Sequence, residues 1–267
     1  MTTSGTALIT GASSGIGAVY ADRLARRGYD LVLVARNQER LDALAAKLAE
    51  QTGRTVDVLV ADLGKPEGVA AVEQELRTNS ALTLLVNNAG IGALGPLLET
   101  DVDLAQRIIE LNVTALTRLN YAVAPQFVAR GAGAVINIAS VVGVVPEMLN
   151  GVYGASKSYV LALTQSMHKE LADQGVQVQA VLPGATATDF WAIAGNPVEN
   201  LPETMVMSAQ DMVDAALAGF DQGELVTIPA LQDVTQWEAL ESARQTLAPN
   251  LSVTTPAARY RTPVTAS

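Results

Sequence analysis

Residues 7–17 read ALITGASSGIG, an apolar run that leads into a turn containing three glycines. The run at 7–10 is short, apolar and followed by glycine, which is typical of a buried strand. Glycines permit a tight turn and close approach of a ligand to the backbone, and a helix that starts there presents free N–H groups to an anion. The stretch predicts a strand–turn–helix unit that binds the diphosphate of a dinucleotide, although an ordinary strand–helix connection has a similar pattern.

Six further apolar runs follow, and stretches of helical periodicity separate them. The predicted strands are 7–10, 31–35, 56–61, 82–87, 134–139, 176–182 and 225–228, and the predicted helices are about 15–28, 38–52, 66–79, 101–129, 151–173, 208–220 and 234–247. Strands that are apolar throughout, rather than alternating, belong to a sheet covered on both faces. Alternating strands and helices imply parallel pairing with right-handed crossovers. The sequence predicts an α/β fold, a single-domain Rossmann-like doubly wound parallel sheet of about seven strands with helices on both faces, over residues 1–267.

Composition excludes several classes of protein. The chain is 49% hydrophobic and 16% charged, which is typical of an ordered globular protein. Its net charge of −10 argues against nucleic acid or anionic membranes as partners. The sequence has no cysteine and one histidine, His168, so disulfides, a histidine-based metal site and a Ser-His-Asp triad are not expected. No apolar run of membrane-spanning length and no basic leader are found, and we expect a cytoplasmic protein.

The end of the second predicted strand bears on the type of nucleotide. A carboxylate there would bond the ribose 2′-hydroxyl of NAD, whereas an arginine suits the 2′-phosphate of NADP. The strand is followed by Arg36 and Asn37, and Arg40 stands one helical turn further on. Positions 35 and 36 carry no acidic residue, so NADP(H) is favoured over NAD(H).

A second stretch, residues 140–157, carries groups that can move a proton. Ser140 follows a strand-like run, and Tyr153 and Lys157 stand four residues apart on a predicted helix. Such residues share a helix face, with Cβ atoms roughly 5–6 Å apart. A free tyrosine has a pKa of about 10, and a nearby ammonium is expected to lower it, which would make Tyr153 a general acid/base. Ser140 would orient the oxygen that exchanges this proton. Taken alone, Y-x-x-x-K more often reflects simple packing.

Four motifs occur in order: TGASSGIG at 10–17, NNAG at 87–90, Ser140, and YGASK at 153–157. Together they resemble the short-chain dehydrogenase/reductase family, of the NADP-preferring type, over residues 6–190. The resemblance implies an oxidoreductase that acts on CH–OH groups and transfers hydride between a nicotinamide and a ketone or secondary alcohol. It also implies homotetramers or homodimers, formed through the helices at 101–129 and 151–173.

The resemblance assigns the site residue by residue. It implies a catalytic set of Asn112, Ser140, Tyr153 and Lys157, in which Asn112 supports a water that relays protons to Lys157. The predicted cofactor-binding residues are Gly11, Ser13, Ser14, Gly15, Ile16, Gly17, Arg36, Asn37, Arg40, Asp62, Leu63, Asn88, Ala89, Gly90, Tyr153, Lys157, Pro183, Gly184, Thr186 and Thr188.

The substrate remains open at this point. Residues 185–207 fit a substrate loop, and residues 231–267 are expected to form a C-terminal extension. The predicted pocket residues, each equally compatible with simple core packing, are Leu94, Val142, Met148, Trp191 and Met205. Candidate substrates are a neutral ketone or aldehyde, a 3-hydroxy acid or 3-hydroxy amino acid, and a 3-oxoacyl thioester. The neutral carbonyl ranks first because no lysine or arginine lies between positions 169 and 244. A non-catalytic NADPH-sensing module is the alternative from another class, and the complete catalytic set argues against it.

Overall fold

The computed structural model describes residues 4–149 and 151–261. Its centre is a sheet with the strand order β3-β2-β1-β4-β5-β6-β7, in which every neighbouring pair is parallel. The strands are β1 Thr6–Thr10, β2 Asp30–Ala35, β3 Val56–Val60, β4 Leu82–Asn87, β5 Gly133–Ile138, β6 Val176–Val181 and β7 Val226–Thr227. This arrangement confirms the predicted seven-stranded parallel sheet.

Helices occupy the segments between the strands, and one more follows β7. They are α1 Gly15–Arg26, α2 Gln38–Thr52, α3 Pro66–Thr78, α4 Val102–Ile109, α5 Leu116–Arg130, α6 Gly151–Leu171, α7 Phe190–Ile193, α8 Ala209–Asp221 and α9 Thr235–Leu247. Of these, α7 lies in a segment that was expected to be irregular. Buried residues of α1, α2 and α8 pack on one face of the sheet. Buried residues of α3, α5 and α6 pack on the other. Both faces are therefore covered, which is why the strands are apolar at successive positions.

The strand order places a crevice at the carboxyl ends of the central strands. β1 pairs with β2 on one side and with β4 on the other, so the chain changes direction of winding at β1. In such sheets a ligand binds beyond the carboxyl ends of the strands at this switch point. The loops after β1, β4 and β5 meet there, and they carry the motifs singled out in the sequence.

The predicted helix at 101–129 is not continuous. A π-helical turn, Glu110–Ala115, separates α4 from α5 and contains Asn112. A π-turn adds a residue to the helical repeat and redirects the side chains on it, and it occurs often at functional sites.

Three other segments add detail to the predicted boundaries: β7, the segment 185–207, and the residues from 231 onward. β7 is shorter than predicted, at two residues. The irregular segment 185–207 contains α7, and its two ends are joined: the Ala187 N–H donates to Met207 O and the Met207 N–H donates to Ala185 O, both at 2.9 Å. A first compact unit ends at Ala230, and a second begins at Leu231 and contains α9.

Candidate active site

The turn between β1 and α1 forms a backbone cradle. Gly11 and Gly15 have φ angles of +68° and +53°, in the left-handed region that favours glycine. A Cβ at Gly17 would collide with the Gly11 carbonyl. In the described part of the chain, the Ser14 hydroxyl makes no capping bond and the first turn of α1 has no acidic residue. The N–H groups at this helix start therefore suit an anionic group.

The loop after β4 is fixed behind this cradle. Asn88 Nδ2 donates to Thr10 O at 2.9 Å and to Gly11 O at 3.2 Å. Thr10 Oγ1 accepts the backbone N–H groups of Asn88 and Ala89, each at 3.0 Å. A Cβ at Gly11 would lie 2.8 Å from Asn88 Nδ2, so only glycine fits. The side chain of Asn88 thus shapes the turn, and Asn88 also lines the cleft in which its contact with a nucleotide is predicted.

Two basic residues lie near each other in the chain: Arg36 directly follows β2, and Arg40 is in the first turn of α2. Arg36 and Arg40 line the same cleft as the Gly-rich turn. Asn37 Oδ1 accepts the Arg40 N–H at 2.9 Å and caps α2, which fixes the backbone that carries both arginines. Arg40 Nη1 also lies 3.6 Å from Asp189 Oδ2, and both side chains are exposed. Two arginines and two carboxylates, Asp62 and Asp189, thus line the cleft, and the Arg40 side chain is accessible.

The opposite end of the cleft brings together Ser140, Tyr153 and Lys157. Ser140 follows β5, and its Oγ donates to Pro183 O at 3.3 Å. The Tyr153 side chain is hydrogen-bonded to Ser140. Lys157 Nζ donates to Ile138 O at 2.8 Å and lies 5.9 Å from the centroid of the Tyr153 ring. A hydroxyl, a phenol and an ammonium thus converge at the end of one strand.

Asn112 supports this group from behind. Its Oδ1 accepts the Ile91 N–H at 3.0 Å, and its Nδ2 donates to Ile91 O at 2.9 Å and to Ser156 Oγ at 3.1 Å. Ser156 Oγ in turn donates to Tyr153 O at 2.7 Å. The side chain of Asn112 therefore ties the loop after β4 to the helix that carries Tyr153 and Lys157.

The pKa values of the two titratable groups correct one expectation. Burial raises the pKa of Tyr153 to about 12, and its hydrogen bond with Ser140 acts in the opposite direction. Burial lowers the pKa of Lys157 to about 8. The expectation was a lowered pKa for Tyr153, whereas the pKa is raised. Removal of the phenolate from water outweighs the hydrogen bond with Ser140.

One cleft of about 930 Å³ connects the two ends. Every predicted cofactor residue except Gly17 lines it, as do Ser140, Tyr153 and Lys157. Gly17 lies behind the turn, and Asn112 lies behind the loop after β4. Such a volume is at the upper end of the range of ligand pockets, roughly 300–1,000 Å³. The motifs that are far apart in the sequence therefore belong to one elongated site.

The walls near Tyr153 are apolar. The five predicted pocket residues all line the cleft: Leu94, Val142, Met148, Trp191 and Met205. Sequence reasoning missed Phe190, whose ring centroid lies 5.7 Å from that of Tyr153. The signal was available, because Phe190 and Trp191 are adjacent aromatic residues just after the Thr186–Thr188 segment of the substrate loop.

Other features contribute nothing to this site. His168 is in the last turn of α6, eleven residues after Lys157, which at about 1.5 Å per residue places it roughly 16 Å along the helix. Over residues 4–149 and 151–261, no group of histidine and acidic side chains is arranged to hold a metal ion. Within the same residues, the helices are too short or too polar to cross a membrane.

Comparisons with known proteins agree with this geometry. Residues 5–197 match the family model for short chain dehydrogenases. A short-chain dehydrogenase from Sphingobium yanoikuyae, solved in complex with NADPH, is 52% identical, covers 96% of this chain and 100% of its own, and superposes with a TM-score of 0.94. A bulky-bulky ketone specific alcohol dehydrogenase from Comamonas testosteroni is 47% identical over 97% of this chain and 99% of its own, with a TM-score of 0.90.

A curated relative with a different substrate is also similar. Sulfoacetaldehyde reductase 2 of Chromohalobacter salexigens is 40% identical over 187 residues, which is 68% of this chain and 73% of that protein. The family model covers most of the chain, and the sheet order, the Gly-rich turn and the Ser-Tyr-Lys group agree with it. The chain therefore belongs to the short-chain dehydrogenase family of oxidoreductases.

Proposed function

We propose that this protein is an NADP(H)-dependent carbonyl reductase, or alcohol dehydrogenase, acting on a neutral ketone or secondary alcohol. One observation carries the proposal: a single cleft joins a glycine-rich turn and two arginines to a Ser140–Tyr153–Lys157 group. A proton-transfer group beside a dinucleotide site is the arrangement that carbonyl reduction requires. A non-catalytic sensor has no use for it.

The residues present fit NADP(H). The glycine cradle and the uncapped start of α1 suit its diphosphate. Arg36 and Arg40 suit the 2′-phosphate, which NAD(H) lacks. Asp62 and Leu63 line the cleft between these two places and would face the adenine. Two similar solved proteins, from Sphingobium yanoikuyae and Gluconobacter frateurii, are complexed with NADPH, which supports the choice.

The cofactor supplies or accepts a hydride, and the chain's own residues handle the oxygen. Ser140 donates its hydroxyl hydrogen to the substrate oxygen. Tyr153, with a pKa of about 12, is protonated at neutral pH and gives its proton to the alkoxide that develops. Lys157, with a pKa of about 8, still carries a proton at pH 7 and helps to restore the one that Tyr153 loses. A protonated phenol favours the reductive direction near neutral pH, and oxidation is expected to gain rate as the pH rises.

The charge of the cleft supports a neutral substrate. In the described chain, the basic residues that line the cleft are Arg36, Arg40 and Lys157. The two arginines are at the nucleotide end, and Lys157 lies beside Tyr153. At the substrate end, a carboxylate, a sulfonate or the phosphates of an acyl thioester would meet only Lys157, which is buried and already donates to Ile138 O. The name of the similar Comamonas testosteroni enzyme, which specifies bulky ketones, agrees with these apolar walls.

The test is a pair of titrations followed by turnover. Purified protein is titrated with NADPH and with NADH, and NADPH oxidation is then measured with aryl and alkyl ketones and with 3-oxo acids of matched size. We expect tighter binding of NADPH and faster turnover of the neutral ketones. Faster turnover of the acids would favour the 3-hydroxy acid alternative, and NADPH binding without turnover of any carbonyl would favour a sensor.

We also propose that the protein is a homo-oligomer in the cytoplasm. Helices α4, α5 and α6 carry large apolar side chains that are exposed in the single chain, among them Val102, Tyr121 and Tyr159. Exposed apolar patches on soluble proteins commonly mark contacts with a partner. Light scattering after gel filtration measures the mass directly, and a monomer at micromolar concentration would contradict the proposal. Fractionation of the source cells tests the location.

A further inference from the structure

Three aromatic side chains gather at the substrate end of the cleft, although aromatic residues make up only 4% of the chain. The Phe190 ring lies between the other two. Its centroid is 5.7 Å from that of Tyr153, at an interplanar angle of 41°, and 5.8 Å from that of Trp191, at 86°. These separations are within the range of favourable aromatic pairs. Phe190 therefore packs directly beside the proposed proton donor.

The position of this ring is fixed from two sides. Trp191 Nε1 donates to Thr186 O at 3.0 Å, which anchors the indole against which Phe190 makes its edge contact. On the other side, the ring occupies the space that a side chain at Gly92 would need. A Cβ at Gly92 would collide with Cζ of Phe190 and come within 2.9 Å of its Cε2. Gly92 thus provides the seat for the ring, and an alanine there must displace it.

We propose that Phe190, seated by Gly92, selects substrates that carry a planar aryl group on the carbonyl carbon. This inference rests on the proposed function and assigns the specificity of that site. Apart from Tyr153 and Trp191, the apolar side chains at this end of the cleft, such as Leu94, Val142 and Met205, are aliphatic or thioether groups that accept apolar bulk of any shape. Phe190 has an aromatic face to offer a flat ring. Aromatic stacking adds a geometric preference that simple burial lacks.

A pair of ketones separates ring recognition from bulk. Acetophenone and cyclohexyl methyl ketone have the same carbonyl and a six-membered ring, but only the first ring is planar and aromatic. The measured quantity is the ratio of their kcat/KM values with NADPH. Differences in intrinsic reactivity cancel when this ratio is compared between variants. Phe190→Leu keeps apolar volume and removes the ring. It is expected to lower the ratio about 2- to 12-fold, which is the free energy of one aromatic pair expressed as a ratio of rate constants.

Further variants guard against a general effect on folding. Phe190→Tyr retains a ring and should retain the ratio. Phe220→Leu removes a phenylalanine of intermediate burial that packs on the core away from the cleft, and it should leave the ratio unchanged. Gly92→Ala should lower the ratio because it displaces the ring. In the Phe190→Leu background it should have little additional effect, since the clash is gone.

A measurement without turnover keeps the inference separate from the proposed function. Acetophenone and cyclohexyl methyl ketone are titrated by calorimetry into enzyme loaded with NADP⁺, which cannot reduce them. The expected result is an aryl preference in the wild type that Phe190→Leu reduces. Three results would overturn the inference. Phe190→Leu could lose affinity equally for both ketones, the ratio of their kcat/KM values could stay unchanged in that variant, or neither ketone could bind. If the wild type binds acetophenone through Phe190 but reduces neither ketone, the proposed function fails and the aryl site stands.

Discussion

Lys157 offers a quantitative test of the site, because a buried ammonium destabilises the fold that contains it. The residue is 7% exposed, and burial lowers its pKa from the ordinary 10.5 to about 8. At pH 7 it is nevertheless largely charged, so the folded state holds a charge that the unfolded chain solvates better. At about 1.36 kcal/mol per pKa unit, this lowers the free energy of unfolding by about 3 kcal/mol.

Replacement by methionine, K157M, removes the charge and keeps most of the apolar stem. It also removes the hydrogen bond from Lys157 Nζ to Ile138 O, which lies at 2.8 Å and contributes about 1 kcal/mol. We therefore expect K157M to be more stable than the wild type by about 2 kcal/mol at pH 7, the difference of the two effects. For a chain of this size, that corresponds to an increase in Tm of about 4–8 °C.

The sign of the pH dependence follows from the direction of the shift. Between pH 8 and 10.5 the unfolded state binds a proton at Lys157 that the folded state does not, so wild-type stability from this group rises with pH. The advantage of K157M should therefore shrink from pH 8 upward and disappear by about pH 10.

Urea unfolding of both proteins at pH 7, 8.5 and 9.5 measures this difference. K47M is the matched control: Lys47 is exposed on α2, and the same substitution there should change stability by less than about 0.5 kcal/mol at every pH. The reasoning is refuted if K157M is less stable than the wild type at pH 7, or if its advantage is the same at all three values.

Three further changes probe the site and its support. Tyr153→Phe should lower kcat at least about 100-fold while leaving NADPH affinity nearly unchanged, and retained turnover would remove Tyr153 as the proton donor. Arg36→Asp should weaken NADPH binding far more than NADH binding, and an equal loss of both affinities would show that Arg36 does not contact the 2′-phosphate. Tyr20→Phe should raise the free energy of unfolding by about 1 kcal/mol, because the buried Tyr20 hydroxyl has no hydrogen-bond partner in the described residues; a loss of stability in urea unfolding would show that this hydroxyl stabilises the fold.

The sequence predicted those parts of the site that depend on local chain geometry. The turn at residues 11–17 follows from the strand before it and the helix after it, and the common face of Tyr153 and Lys157 follows from their spacing of four. The fold followed in the same way, from periodicity and the alternation of strands with helices. Each of these inferences uses residues that are neighbours along the chain.

What the sequence could not predict depends on contacts between distant segments. The pKa of Tyr153 is set by how completely its surroundings exclude water, and spacing on a helix carries no information about that. The partners of the Asn88 amide, the Thr10 and Gly11 carbonyls, lie 78 and 77 positions away along the chain and could be identified only in the fold. The adjacent aromatic pair Phe190 and Trp191 is visible in the sequence, but the contact of Phe190 with Gly92, a residue on a separate loop, is visible only in the fold. The π-turn around Asn112 likewise carries an amide that bonds both backbone groups of Ile91, 21 positions away along the chain.

These distant contacts link proton transfer to substrate selection through one short loop. Asn112 holds Ile91 by both backbone groups, and the next residue, Gly92, gives the Phe190 ring its place beside Tyr153. A Cβ at Gly90, on the other side of Ile91, would lie 3.1 Å from Asn112 Oδ1 and 3.7 Å from Lys157 Nζ. The same three residues, 90–92, therefore border the lysine, the supporting amide and the aromatic wall. A shift of this loop must disturb its contacts with Lys157, Asn112 and Phe190 together. A substitution at Gly92 that changes the preferred substrate is therefore expected to alter the pH dependence of turnover as well as KM.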